Sequence, residues 1–288
     1  MAYCVPLPPP RDALPAHCRE LLGVLIYPEH CRRLDEVAWD RLIRAARSAR
    51  LLGTLATRLA ASGLYASVPP LARKLLDAAL IESSFRRQKM RFLLRTVDTQ
   101  LGDIAQISVV LKGAAYELQD APIACGRMPA DVDLLVPKDV LGAAEVALLQ
   151  AGWEFAKTDD YDQRYYRDWS HELPPLRYAG QALELDLHHA ILPPIGRLRP
   201  DTSRLIAQAI AIPGHPFRAL SAKDQLLHAA AHLFEDSDCT NRLRDLVDFD
   251  GLLRSQTGQA APRDVAERLR ARAHELGLMR PLLYAAVF

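Results

Sequence analysis

Apolar residues recur every three or four positions over long stretches at both ends of the chain, which is the spacing of amphipathic helices. The stretches with this spacing are residues 34–60, 71–104, 222–234, 242–253 and 265–276. Pro69-Pro70 separates the first two stretches, because proline cannot continue a helix from its interior. The pattern predicts one helical region over residues 1–105 and another over residues 196–288.

In the middle of the chain the pattern changes to short apolar and β-branched runs, which is typical of strands. The predicted strands are residues 107–111, 133–136, 153–156, 163–166 and 183–188, and the predicted helices between them are residues 114–118 and 141–150. The last strand alternates leucines with Glu184, Asp186 and His188, so its two faces differ in polarity. We interpret residues 106–195 as an α/β core between the two helical regions.

Composition narrows the class of protein. Half of the 288 residues are hydrophobic, which is enough for a sizeable core, and the net charge of +1 gives no strong attraction to nucleic acid or to a membrane surface. The five cysteines are scattered without a C-x-x-C pair, which favours a reducing compartment over a disulfide framework or a structural zinc site. With no signal pattern and no apolar run near the roughly 20 residues of a membrane span, a cytoplasmic protein without a membrane partner is expected.

Asp131 and Asp133 are the most informative chemical feature of the sequence, because they stand one residue apart at the start of an apolar run. Side chains alternate along a strand, so the two carboxylates share one face while Val132 and Leu134 point into the core. Two carboxylates held together repel each other unless a cation lies between them. Mg²⁺ suits this position, since it binds carboxylates together with phosphate oxygens and water. The alternative is a pair of acids at the solvated end of a loop.

Two further segments fit the same chemistry. Lys112-Gly113 follows the first predicted strand and precedes a helix, a junction where the backbone can approach a phosphate and the lysine can add a positive charge. Asp186, with Glu184 two residues earlier on the same strand face, can supply a third carboxylate. Three carboxylates can hold two divalent ions, as in phosphoryl and nucleotidyl transfer. An ordinary turn and an exposed strand face are the simpler explanations for each segment alone.

The order of these motifs resembles the uncharacterised bacterial nucleotidyltransferase family of the polymerase-β-like nucleotidyltransferase superfamily. The residues that carry the resemblance are Leu111-Lys112-Gly113, Arg127 four residues ahead of Asp131-Val132-Asp133, and Leu185-Asp186-Leu187-His188. The helical segments at residues 220–228 and 242–248 also match, and the likeness covers roughly residues 35–285.

The resemblance implies an α+β fold, with a small mixed β-sheet core flanked by N- and C-terminal helical regions. It also implies Mg²⁺, with Mn²⁺ as a second option, and an NTP donor, for which ATP is expected. By position, Asp131 and Asp133 would be metal ligands, Asp186 the third carboxylate acting as base or second-metal ligand, and Gly113 would lie under the phosphates. The chain departs from the superfamily where its Gly-Ser or Gly-Gly turn is replaced by Lys112-Gly113-Ala114, which removes a serine contact to the triphosphate.

Several polar residues near these motifs have more than one interpretation. Arg127 can bind a phosphate, which we favour, or pair with Asp131 when no metal is bound. His228 and His232 lie one helical turn apart and either line the contact between helices and core or bind substrate. The remaining candidates flank the site and either contact substrate or simply pack: His171, His188, His189 and the aromatic residues Tyr161, Tyr165, Tyr166 and Trp169.

The sequence supports three functional hypotheses. The first is a Mg²⁺-dependent enzyme that moves an NMP from an NTP to a hydroxyl acceptor and releases pyrophosphate; a nucleic-acid acceptor is not favoured. The second is a nucleotidyltransferase fold without turnover that binds a nucleotide or a partner as a regulator, which the missing serine suggests. The third, a glycosyltransferase, ranks lowest because its D-x-D motif needs a preceding parallel sheet, and here helices precede the motif.

Overall fold

The N-terminal part of the protein is helical. The computed structural model describes residues 15–235 and 242–286. Its first helices are α1 (Ala16–Ile26), α2 (Glu36–Ser48), α3 (Leu52–Ala61), α4 (Pro70–Leu101) and α5 (Asp103–Ile107). The side chain of Asp35 begins α2 by accepting a hydrogen bond from the Ala38 amide. Pro70 begins α4 at the position where a missing N–H costs nothing, and Gly102 ends it with a φ of 56°.

The central part alternates strands and helices. Its elements are β1 (Val109–Val110), α6 (Lys112–Leu118), β2 (Asp131–Leu135), α7 (Leu141–Gln150), β3 (Trp153–Phe155), α8 (Asp160–Trp169), β4 (Leu176–Tyr178) and β5 (Glu184–His188). The C-terminal part adds α9 (Thr202–Ala207), β6 (Ile210–Ala211), β7 (Arg218–Ala219), α10 (Ala222–Glu235), α11 (Leu243–Thr257), α12 (Pro262–Leu276) and α13 (Met279–Ala285).

The strands form one mixed sheet in the order β3-β4-β5-β2-β1-β7-β6. β2 is central and pairs parallel with β5 and antiparallel with β1, while β1 pairs parallel with β7. Val132, Leu134, Leu185 and Leu187 are fully buried on one face of the central pair. Each such side chain contributes about 2 kcal/mol by leaving water, so the burial of these four residues fixes which face the intervening acids occupy.

Two hydrophobic clusters divide the interior. One packs the sheet against α6, α7 and the C-terminal helices, and the other lies among α1 to α4. The helix α4 belongs to both, because Leu76 and Ala79 enter the N-terminal cluster while Leu93 and Val97 enter the sheet cluster. This long helix therefore ties the N-terminal region to the sheet.

The predicted α+β class, with a mixed sheet between two helical regions, is confirmed. One element was wrong: residues 163–166, predicted as a strand, lie within the helix α8. Aromatic residues favour strands locally, but Asp159 caps this helix by accepting from the Asp162 amide, and Tyr161, Tyr165 and Trp169 follow a four-residue spacing. The sheet also extends past residue 195, where the predicted core ended, into β6 and β7.

The sequence contains no apolar run near the length of a membrane span, and the helices of the structure can be compared with that observation. Among the described residues, none of the helices combines the length and the apolar character needed to cross a bilayer.

Candidate active site

Asp131 and Asp133 lie on β2 as the alternation predicts. Asp131 is exposed at the start of the strand, and Asp133 is buried. The parallel register with β5 sets Asp133 opposite Asp186. Acids that are more than fifty residues apart in the sequence thus become cross-strand neighbours on one face of the sheet, at the place where the predicted metal ligands were expected to meet.

Lys112 and His188 both contact the buried aspartate. The Lys112 ammonium donates to Asp133 Oδ1 at 2.7 Å, and His188 Nε2 lies 3.0 Å from the same oxygen. Burial alone would raise the pKa of Asp133, but the Lys112 charge and the His188 contact hold it well below its usual range. Lys112 reaches this position from the first residue of α6 with a φ of 43°, a left-handed conformation that costs a non-glycine residue roughly 1–2 kcal/mol.

The pKa of Asp186 is raised, in contrast to the pKa of Asp133. Its Oδ1 is buried and has no hydrogen-bond partner among the described residues. Burial, followed by the charges of Glu172, Asp133 and Asp131, raises the pKa of Asp186 to about 8. A carboxyl group in this condition is protonated at neutral pH unless a cation arrives to compensate its charge.

Glu172 is a site residue that the sequence analysis missed. It forms an isolated antiparallel bridge with His188, and its Oε2 lies 3.2 Å from His188 Nε2. Burial raises the pKa of Glu172, with Asp133 and Asp131 acting in the same direction. No motif marks this acid, which follows His171 and precedes Leu173-Pro174-Pro175; only the pairing with β5 brings it to the site.

This donor set fits a divalent cation. Four carboxylates, from Asp131, Asp133, Glu172 and Asp186, are gathered around a single lysine ammonium bound to one of them. The excess negative charge and the unpartnered Asp186 oxygen are what a hard cation such as Mg²⁺ would satisfy. The residues present therefore suit the metal that the resemblance implies.

A cavity of about 220 Å³ opens onto Asp131 and Asp133. The polar side chains that line it come from the core and from the C-terminal helices: Lys112, Tyr116, Arg127, His228, His232, Arg242, Arg244, Asp245 and Asp248. Burial holds the pKa of His228 well below its usual range and lowers the pKa of His232 to about 4, so both rings are neutral at pH 7. The two histidines thus line the contact between α10 and the core and also face the cavity.

Arg127 is held by a partner that the sequence did not suggest. Its Nε donates to Asp248 Oδ2 on α11 at 2.9 Å, so its carboxylate partner is Asp248 and not Asp131. A methyl group on Gly113 would overlap Arg127 Nη1, so the glycine makes room for the guanidinium. Contact of Lys112, Gly113 and Arg127 with phosphates stays a prediction.

The aromatic residues of the α8 helix pack on one another. Tyr165 and Trp169 meet edge to face with ring centroids 5.9 Å apart, and Tyr161 is 71% exposed. Stacking of these rings on a nucleotide base stays a prediction.

A mixed sheet that presents acids from two neighbouring strands on one face, between helical regions, defines an α+β protein of the nucleotidyltransferase fold. Comparison with known families agrees, since residues 35–288 match the family described as "Uncharacterised nucleotidyltransferase". The chain belongs to this family, as the motifs indicated. No curated protein matches the chain significantly.

Proposed function

We propose that this protein is a Mg²⁺-dependent nucleotidyltransferase that moves an NMP from an NTP, with ATP as the expected donor, to the hydroxyl group of an acceptor. The observation that supports it most is the register of β2 and β5, which sets Asp133 opposite Asp186 with Asp131 on the same face. Family membership supports the reaction class.

In this proposal the three aspartates bind cations, and one of them also accepts a proton. Asp131, Asp133 and Asp186 would hold divalent cations, which would supply positive charge to the triphosphate and would lower the pKa of the acceptor hydroxyl. The acceptor oxygen forms a bond to the α-phosphorus, the bond between that phosphorus and the bridging α–β oxygen breaks, and pyrophosphate leaves. Once a bound cation has ionised Asp186, this carboxylate can receive the hydroxyl proton as the general base.

The cavity residues complete the site. Lys112 and Arg127 provide positive charge on the side where the triphosphate would lie, and neutral His228 and His232 offer hydrogen bonds to the acceptor or the base. The cavity lies between the core and the C-terminal helices, so these helices would define which acceptor is admitted.

The test is pyrophosphate release from each of the four NTPs with Mg²⁺ over a panel of hydroxyl-bearing acceptors. Asp133→Asn is expected to lower the rate by at least about 10²-fold, the range seen when one preorganised electrostatic group is removed. Glu184→Gln is the matched control, because Glu184 lies on the same face of β5 but pairs with Arg177 at 2.5 Å. Equal rates for the wild type and Asp133→Asn would contradict the proposal.

A regulator without turnover is the second candidate, and one observation favours it. The Lys112 ammonium already neutralises Asp133, at the turn where the superfamily serine is missing. Calorimetry that detects Mg²⁺-dependent ATP binding, with no pyrophosphate released over the whole panel, would support this candidate against the enzyme.

A further inference from the structure

We propose that His171, Glu172 and His188 form a mixed nitrogen–oxygen site for a first-row transition-metal ion such as Mn²⁺, beside the aspartates. This site lies next to the aspartates of the proposed function and is a separate cation position. Binding of the metal itself does not require that transfer occurs.

The three side chains already converge. One ligand atom from each of them lies within 4.8 Å of the others, and the two imidazole rings have centroids 5.1 Å apart. His188 Nε2 lies 3.2 Å from Glu172 Oε2. An ion among the three side chains would draw one ligand atom from each of them to a bond length of about 2.0–2.2 Å.

The backbone holds the ligands in place. Glu172 and His188 form a bridge, the Leu173 amide donates to the Leu187 carbonyl at 2.8 Å, and the His189 amide donates to the His171 carbonyl at 2.8 Å. Hydrogen bonds on both sides of the bridge fix the segment at residues 171–173 against the end of β5. Such rigidity is what a metal site requires, because misplaced ligands lose affinity.

Unsatisfied polar atoms at this place point independently to a ligand. His188 is only 1% exposed, yet its Nδ1 has no hydrogen-bond partner among the described residues, and the same is true of the buried Nδ1 of His171. Buried polar atoms are almost always paired in folded proteins. A cation bound through the Nδ1 atom of each imidazole, with Glu172 as the third ligand, would account for the exception and would leave His188 Nε2 in contact with Asp133.

The donor chemistry selects the kind of ion. Mg²⁺ takes oxygen ligands almost without exception, whereas imidazole nitrogen suits Zn²⁺, Fe²⁺ and Ni²⁺, and Mn²⁺ accepts oxygen ligands together with imidazole more readily than Mg²⁺ does. His188 Nε2 also lies 3.0 Å from Asp133 Oδ1, so this site adjoins the aspartates that suit Mg²⁺. The protein would thus bring together an oxygen-rich and a nitrogen-containing cation position.

The test is titration of metal-free, full-length protein with Mn²⁺ in excess Mg²⁺, followed by electron paramagnetic resonance. The wild type is expected to bind Mn²⁺ that Mg²⁺ does not displace, with the spin-echo modulation of coordinated nitrogen. His171→Ala and Glu172→Gln are expected to weaken Mn²⁺ binding at least about tenfold. His189→Ala, a change in the adjacent histidine outside the cluster, is the matched control and is expected to bind Mn²⁺ as the wild type does.

Mn²⁺ that is displaced completely by Mg²⁺, or that shows no nitrogen modulation in the wild type, would overturn the inference. This wild-type measurement decides the question even if a variant fails to fold, which circular dichroism would show. Nitrogen-coordinated Mn²⁺ in a protein that releases no pyrophosphate would refute the proposed function and leave this inference standing. Nucleotidyl transfer with Mg²⁺ in a protein that holds no nitrogen-bound Mn²⁺ would refute this inference and support the proposed function.

Discussion

This protein buries acidic side chains in opposite ways at two places. Between α10 and α12, Arg272 donates to both oxygens of Asp224 at 2.7 and 3.0 Å, and the two residues are 2% and 0% exposed. On the face of the sheet, four carboxylates meet around one lysine, and an oxygen of Asp186 is left without a partner.

The Arg272–Asp224 pair stabilises the fold, whereas the acids on the sheet are suited to bind a cation. A buried pair such as Arg272 with Asp224 is balanced within the chain, so removing either member leaves the other uncompensated. The acids on the sheet are not balanced, and burial together with their mutual repulsion raises the pKa of Asp186 and of Glu172. We expect the first region to lose stability when it is mutated and the second to gain it.

The largest expected effect is on the balanced pair. Arg272→Met leaves Asp224 buried without its counter-ion and is expected to lower the free energy of unfolding by about 3–5 kcal/mol. Urea denaturation followed by circular dichroism measures this. The double variant Arg272→Met/Asp224→Leu, which removes both charges, is expected to recover most of the loss. A loss below about 1 kcal/mol in the single variant would show that the pair is not structurally important.

Gly113→Ala tests the second balanced pair, Arg127 with Asp248. The added methyl group overlaps Arg127 Nη1 and must displace the guanidinium from beside the helix α6. Overpacking of this kind is expected to cost about 1–3 kcal/mol of unfolding free energy. Gly142→Ala is a matched control, since a methyl group there meets nothing within 4 Å. Equal stability of the two variants would contradict the packing role of Gly113.

The acids on the sheet are expected to make the stability of the protein depend on pH. The pKa of Asp186 is about 8 in the folded protein, far above the ordinary value of 3.8, so between these limits the folded state holds a proton that the unfolded state has released. Metal-free protein should therefore lose stability as pH rises from 4 to 8, by less than the loss expected for Arg272→Met because solvent screens this partly exposed group.

Asp186→Asn removes that titration. Thermal unfolding in EDTA should show the variant more stable than the wild type at pH 8 and similar to it at pH 4. A wild-type stability that rises across this range in parallel with the variant would show that Asp186 is not the group responsible. Asp139→Asn is a control for a change of charge at an exposed site outside the cluster.

The smallest expected effect is that of replacing Lys112, whose ammonium contacts the acids on the sheet through Asp133. Its ammonium is bound to Asp133 and repels any cation that approaches the same carboxylate. Lys112→Met is expected to raise the affinity for Mg²⁺ several-fold, since two charges about 4 Å apart interact by about 1 kcal/mol even in water. Calorimetric titration of metal-free protein measures the change. A weaker affinity in the variant would mean that Lys112 organises the site for the metal.

Much of this molecule could be predicted from local patterns. The three-and-four spacing of apolar residues predicts most of the helices, and the alternation around Asp131 and Asp133 predicts that both side chains share a face. The strand predicted at residues 163–166 failed because four consecutive residues reveal propensity without revealing period. The wider four-residue spacing of Tyr161, Tyr165 and Trp169 carried the helical signal.

The sequence by itself determined the class of fold, the aspartate pair and, through ordered motifs, the family. Only the tertiary structure decided that Asp186 lies opposite Asp133, that Glu172 joins them, and that Arg127 finds its partner 121 residues away. The physical reason is that periodicity and propensity act over a few neighbouring residues, whereas strand register and buried ion pairs depend on the packing free energy of the whole chain.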